Sequence, residues 1–244
     1  MIMKGYSRDV NNGVVFSKDM KVAELIDADY ALLSVLLRFD MQLPFGDISI
    51  EEMCERYNVS AELFLILCQI YSDAEYSADV ELLNADDLRS LLIYLRASHR
   101  LYLDELLPSI GEGVEQVLDC CSSREKAIVR RFYEDYLDEV RTHLEYEESC
   151  MFPYVEKLIQ GIACSAEGMG EAMEQHLDIC EKIDDIKSIL IKYLPEACTT
   201  KQRYDLLCNV FRMREDLVHH TLVEIKILAP LAIAVERRLR NEAV

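Results

Sequence analysis

A histidine followed four residues later by a glutamate occurs twice in the chain, and each copy runs on to a proline. His143, Glu147 and Pro153 form one frame; His220, Glu224 and Pro230 form the other. Residues four apart lie on one face of a helix, so each copy presents an imidazole and a carboxylate side by side. One such pair means little. Here the whole frame repeats: the pair, an apolar residue at Met151 or Leu228, and a proline ten places after the histidine.

The chain has five histidines, and the interval from His99 to His143 equals that from His176 to His220, 44 residues. Two similar halves follow from this. Each would hold a helix with a lone histidine, a connection, and a helix with the His/Glu pair, giving an all-α, up-down-up-down four-helix bundle. Its core would gather four imidazoles and two carboxylates. Two glutamates buried there without cations would each cost several kcal/mol, roughly, so metal binding and bundle stability are expected to be coupled.

The donor types narrow the metal. Carboxylates able to bridge, with imidazoles in the outer positions, suit iron or manganese, whereas structural zinc takes four ligands, often thiolates. Six ligands are too many for one zinc. Two metals sharing Glu147 and Glu224 would keep open positions for an oxo or hydroxo bridge and a diatomic ligand. Ferritin-like bundles place the acid three residues before the imidazole, and no histidine here has a glutamate at that offset.

SHRLYLDELLP around His99, HLEYEESCMFP from His143, MEQHLDI around His176 and HTLVEIKILAP from His220 together resemble the hemerythrin-like di-iron proteins. The similarity spans residues 88 to 232 and is strongest to the branch that repairs iron centres. It implies the metal ligands His99, His143, Glu147, His176, His220 and Glu224, with the two glutamates as bridges. His219 is excluded, since Val223 stands four places after it. Hemerythrins that carry oxygen use five histidines, so four His and two Glu point to the repair branch. The resemblance implies two non-haem Fe ions, with Mn as the alternative. It also implies repair or protection of iron–sulfur clusters under nitrosative or oxidative stress, with O2, NO and damaged iron–sulfur proteins as partners. Two other readings stay open: an O2 or NO sensor or storage module without catalysis, and an iron buffer. Whether the chain is an enzyme is also open.

Residues 1 to 80 are expected to form a small helical N-terminal domain and residues 81 to 244 the bundle. Residues 20 to 72 resemble the short domain that often precedes the bundle in the repair branch. Where that family carries a Cys-Cys pair, this chain has Leu43 and Pro44. Cys54 is read as a small core residue. Short helices are expected near 20–26, 29–40, 49–57 and 60–72, the last capped by Ser60. Residues 1 to 17 read as a polar lead-in and 73 to 84 as a linker. Asp86 or Asp87 is expected to cap the first bundle helix, running to about Ile110, and Ser122 or Ser123 to start the second. The third should cover about 170 to 193, and Thr199 or Thr200 should begin the fourth. A kink or loosening is expected at Pro153, and Gly-Glu-Gly at 111 to 113 reads as a turn. Beside the ligands, Tyr102, Tyr133, Tyr136 and Tyr146 are mainly packing residues with a polar tip, Cys180 is buried and inert, and Glu148 is solvated.

Charge and cysteine content bear on partners. The net charge is −19, and both parts share it: residues 1–84 carry 6 basic and 15 acidic side chains, residues 85–244 carry 20 and 30. Residues 48 to 67 have a helix, Asn-containing turn, helix look, but their acidity would repel phosphates, so no nucleic acid is expected. Nine cysteines without framework spacing point to a reducing, cytoplasmic setting. No run approaches the ~20 apolar residues of a membrane span, so no membrane partner is expected.

Overall fold

The computed structural model describes residues 15–162, 169–193 and 198–242. Of the lead-in expected over 1 to 17, residues 1–14 lie outside these. All regular structure among the described residues is helical, apart from an isolated antiparallel bridge between Lys21 and Ser49.

Four short helices come first: α1 (Val22–Ala28), α2 (Leu33–Arg38), α3 (Ile50–Tyr57) and α4 (Ala61–Ser72). Their limits follow from local chemistry. Ser49 accepts from the Glu52 amide while the Glu52 carboxylate takes the Ser49 amide, a reciprocal cap that starts α3. Asn58 ends it with a left-handed residue (φ 52°), and Ser60 then caps α4 by accepting from Leu63 N.

The first bundle helix, α5 (Ala85–Leu101), is capped by Asn84 rather than Asp86 or Asp87. The Asn84 side chain accepts from Asp86 N, and Asp87 reaches back to Asn84 N. The sequence expectation thus found the reciprocal acid but missed the residue that caps. After α5 the chain continues through a π turn (Tyr102–Leu106) into α6 (Leu107–Leu118). Gly111 and Gly113 lie inside α6, not in a turn. They are small for packing reasons: a Cβ on Gly111 would stand 2.9 Å from Tyr133 Oη, and one on Gly113 3.0 Å from Leu206 Cδ1.

Helix α7 (Ser123–Tyr146) passes through a second π turn (Glu147–Met151) into α8 (Phe152–Ile159), and α9 spans Met169–Tyr193. Thr199 and Gln202 cap α10 (Thr200–Val223) reciprocally. A third π turn (Glu224–Leu228) leads into α11 (Ala229–Glu242). The three π turns have a common cause. Each ends two residues before a proline, at Pro108, Pro153 and Pro230, which lacks an N–H and collides with the carbonyl four residues back. Widening the turn relieves that collision: Leu107, Phe152 and Ala229 donate instead to the carbonyls of Tyr102, Glu147 and Glu224, five residues back. The loosening expected at Pro153 is therefore a single wide turn, and it occurs three times among the described residues.

The chain divides into two compact units. One comprises Met1–Ala97, Tyr154–Ser165 and Leu222–Val244. Within it Leu25, Val35, Leu36, Phe64 and Leu67 are buried, the Tyr71 and Tyr94 hydroxyls share a 2.7 Å hydrogen bond, and Lys226 donates to Tyr76 O at 2.8 Å. Cys54 is buried here, and that burial pushes its thiol up to about 12, as a core residue requires.

The other unit comprises Ser98–Pro153 and Ala166–Thr221. Four helical runs contribute to its core, in which Tyr102, Ile110, Val117, Tyr136, Val140, Leu144, Ile183, Leu206, Val210 and Met213 are buried. Val140 and Leu144 flank His143 on the α7 stripe, as its period requires, so the residues that close the core also set the orientation of the ligand face. Each fully buried side chain of this kind contributes roughly 1.5–3 kcal/mol.

One helical run does pass the length and composition test for a membrane span. Thr200–Asn241 is long and apolar enough to cross a membrane, and more than half of its most apolar stretch is buried. The sequence expectation of no such run is corrected. Its burial is what a core helix shows.

Candidate metal centre

Burial alone marks the site. His99, His143, Glu147, His220 and Glu224 are all buried, and Glu147 is wholly inaccessible. His99 sits near the end of α5, His143 near the end of α7, His220 near the end of α10, and each of the three is followed within four residues by a π turn.

In the second unit three imidazoles converge on one carboxylate. His143 Nε2 lies 2.5 Å from Glu147 Oε1. On the other oxygen, His99 Nε2 lies 2.8 Å and His220 Nε2 3.6 Å from Glu147 Oε2. His99, Glu147 and His220 offer ligand atoms that all lie within 4.8 Å of one another. Both oxygens of Glu147 are thus faced by imidazole nitrogens, one on the first and two on the second. A buried carboxylate among imidazoles is a donor set suited to a divalent cation of the iron or manganese type, and a cation there would offset the cost of burying the charge.

The other candidates stand as follows. Glu224 is buried in the third π turn and belongs to the first unit. His176 falls within α9, but its side chain lies outside the described residues. His219, which the spacing excludes, is half-buried beside His220.

The structure adds residues around the ligands. His99 Nδ1 pairs with Glu148 Oε1 at 2.9 Å, although the Glu148 side chain is 40% exposed. The expectation that Glu148 is simply solvated is corrected. A regular helix rotates neighbours by about 100°; the wider π turn reduces that angle and lets Glu147 and Glu148 address opposite nitrogens of the same ring. The signal available in the sequence was Pro153, which forces the wide turn. Phe152 stacks on His99 with centroids 5.2 Å apart and an interplanar angle of 14°. Tyr102 meets the His220 ring edge-on at 5.6 Å, and its hydroxyl donates to Asp216 Oδ1 at 2.6 Å. Asp216 precedes His220 by four residues, so it shares the helix face of the ligand and anchors the phenol beside it.

The remaining tyrosines are structural in part. Tyr133 donates to Leu107 O at 2.7 Å, tying α7 to the end of the first π turn. Tyr136 is buried, and burial holds its phenol well above the usual range. Cys180 is half-buried rather than buried as expected, and desolvation raises its thiol.

The profile of the hemerythrin HHE cation binding domain matches residues 90–232. The iron-sulfur cluster repair protein YtfE of Salmonella paratyphi B and that of Salmonella newport are each 31% identical to this chain over 160 residues, covering 62% of it and 67% of theirs.

Proposed function

The chain belongs to the hemerythrin HHE cation-binding family, and on that premise we propose that it is a cytoplasmic non-haem di-iron protein that repairs or protects iron–sulfur clusters under nitrosative or oxidative stress. The observation that carries this reading is Glu147, a buried carboxylate held among three imidazoles, in a chain whose relatives are cluster-repair proteins. The proposed ligand set is His99, His143, Glu147, His176, His220 and Glu224. Mn is the alternative metal.

The two oxygens of Glu147 support a division of labour. Oε1 faces His143 and Oε2 faces His99 and His220, so His143 would hold metal beside the first oxygen and His99 with His220 beside the second. When bound, an iron pair supplies open positions for O2 or NO and one-electron chemistry. The protein's own part is to hold these ligands in place. Glu148 accepts from His99 Nδ1, which fixes the tautomer that leaves Nε2 as the ligating nitrogen. Phe152 covers one face of the His99 ring and limits water there. The Tyr102 to Asp216 bond fixes the phenol whose ring meets His220.

We further propose that residues 1 to 80 form a small helical N-terminal domain.

The test is restoration of a damaged cluster. The iron-loaded protein, added to an iron–sulfur enzyme inactivated by NO, should return its activity, while a variant lacking Glu147 should not. No restoration, together with NO-dependent binding to a partner protein, would replace this reading with a sensor.

A further inference from the structure

A cleft in the first unit, about 350 Å³ in volume, is walled by apolar side chains that face solvent. Leu33, Leu37, Leu43 and Phe45 line it, and Asp40 and Gln42 supply its polar part. Leu37 is 64% exposed and Leu43 68%, and Leu33 is exposed beside them. Single exposed leucines are ordinary. Three on one concavity make a patch of the kind that marks an interaction site.

The loop that carries Leu43 is fixed from within. Asp40, just past the end of α2, takes a left-handed φ of 54°, which short polar side chains tolerate, and Met41 N then donates to Leu36 O at 3.0 Å. Gln42 is held twice. Its backbone amide donates to the Tyr57 phenol oxygen at 3.0 Å, and its side chain donates to Asp40 Oδ1 at 3.2 Å. Leu43 is therefore presented to solvent by a hydrogen-bonded turn, and an occupant would meet it with little ordering left to do.

Charge selects the occupant. The charged residues from 22 to 55 are eight acids and one base, Arg38. Arg38 is turned inward: it is buried, donates to Ser34 O at 3.0 Å and lies over the Tyr94 ring. Among the described residues Asp40 is the one charged group lining the cleft. A second copy of this chain would bring the same acids to the contact and be repelled. The volume is at the small end of ligand sites, the size of anchor side chains.

We propose that this cleft docks a basic amphipathic helix of a partner protein. Aliphatic side chains from one face of that helix fill the cleft against Leu33, Leu37 and Leu43, and a lysine or arginine beside them reaches the Asp40 carboxylate. None of these residues is a candidate metal ligand, so the surface goes beyond the function proposed for the metal centre.

The experiment measures binding of a fluorescently labelled amphipathic peptide of leucine and lysine to the full iron-loaded chain by anisotropy, at low and at high salt. A peptide with glutamate in place of lysine is the control. The leucine–lysine peptide should bind, less tightly as salt rises, and the glutamate peptide should not. Leu37→Ser and Leu43→Ser should each weaken binding roughly tenfold or more; both positions are exposed, so folding should be kept. Asp40→Asn, which tolerates the same backbone conformation, should weaken binding less and reduce its salt dependence. Ile233→Ser, at an exposed position of α11, should change nothing. No binding, binding indifferent to Leu37→Ser and Leu43→Ser, or equal binding of the glutamate peptide would each overturn the proposal. So would self-association in sedimentation, or binding to phosphatidylcholine vesicles, that Leu37→Ser abolishes, since the face would then belong to a second copy or to lipid.

Discussion

Glu148 Oε1 lies 2.9 Å from His99 Nδ1, while Nε2 of the same ring lies 2.8 Å from Glu147 Oε2. Two consecutive glutamates therefore grip one imidazole from its two nitrogens, and only one of them is a candidate ligand. Carboxylates in the outer position of such an arrangement typically contribute 10–100-fold, roughly, to metal affinity. Glu148→Ala is expected to weaken ferrous iron binding by about that factor in a chelator competition, and Glu148→Gln, which keeps an acceptor, by less. Equal affinity in wild type and Glu148→Ala would show that the pair does not orient His99.

Removing a ligand should act on both metal and fold. Glu147→Ala or His220→Ala is expected to lower bound metal to zero or one ion per chain and to lower the melting temperature of the protein as purified. Two tightly held ions in both variants, by elemental analysis, would contradict the ligand assignment.

Gly111 offers a packing test away from the metal. Alanine there would gain about 1 kcal/mol in helix propensity. Its Cβ would stand 2.9 Å from Tyr133 Oη, which is held by its bond to Leu107 O. Displacing that hydroxyl costs roughly 1–3 kcal/mol, so Gly111→Ala should destabilise. In a Tyr133→Phe background the crowding oxygen is gone, and the same substitution should stabilise. Denaturant melts of the four proteins measure the coupling. A change of equal sign in both backgrounds would mean that Tyr133 does not set the identity of residue 111.

A pH test concerns the contact between α9 and α10. Arg214 holds both oxygens of Asp184, at 2.7 and 3.2 Å, and this bond, with a smaller contribution from Lys187, lowers the carboxyl to about 2 from 3.8. A carboxyl depressed on folding contributes stability that is fully present above its unfolded value and is lost as pH falls through its folded one. The contribution should be intact at pH 5 and fade between about pH 4 and pH 2. The pair is more than a third exposed, so solvent and salt reduce it. Asp184→Asn should flatten that segment of the stability curve. An unchanged curve would show that the pair contributes nothing measurable.

Much of this was legible in the sequence because period and spacing are local properties. The 3.6-residue stripe around Val140, His143, Leu144 and Glu147 fixes the buried face of α7, and Ser49, Ser60 and Thr199 announce helix starts through their hydroxyls. What could not be read came from contacts across helices. Gly111 and Gly113 look like a turn until Tyr133 and Leu206 are seen against them. Asn84 and Asp87 exchange roles that propensity does not separate. Glu148 was misread because a regular helix was assumed where Pro153 imposes a wide turn, and Asp216 was not singled out because its partner, Tyr102, lies on another helix. His99 with Pro108, nine residues on, belongs to the same proline pattern as the two His/Glu frames, but its different spacing hid it.

The central claim is that the imidazoles and carboxylates gathered at Glu147 hold a pair of irons. The most direct measurement is metal content by elemental analysis of protein purified without chelator, joined to a near-ultraviolet absorption spectrum. About two irons per chain with oxo-to-iron charge-transfer bands is the predicted result, in line with the chemistry of such donor sets. A well-folded helical protein with no bound metal, even after incubation with ferrous iron, would contradict it.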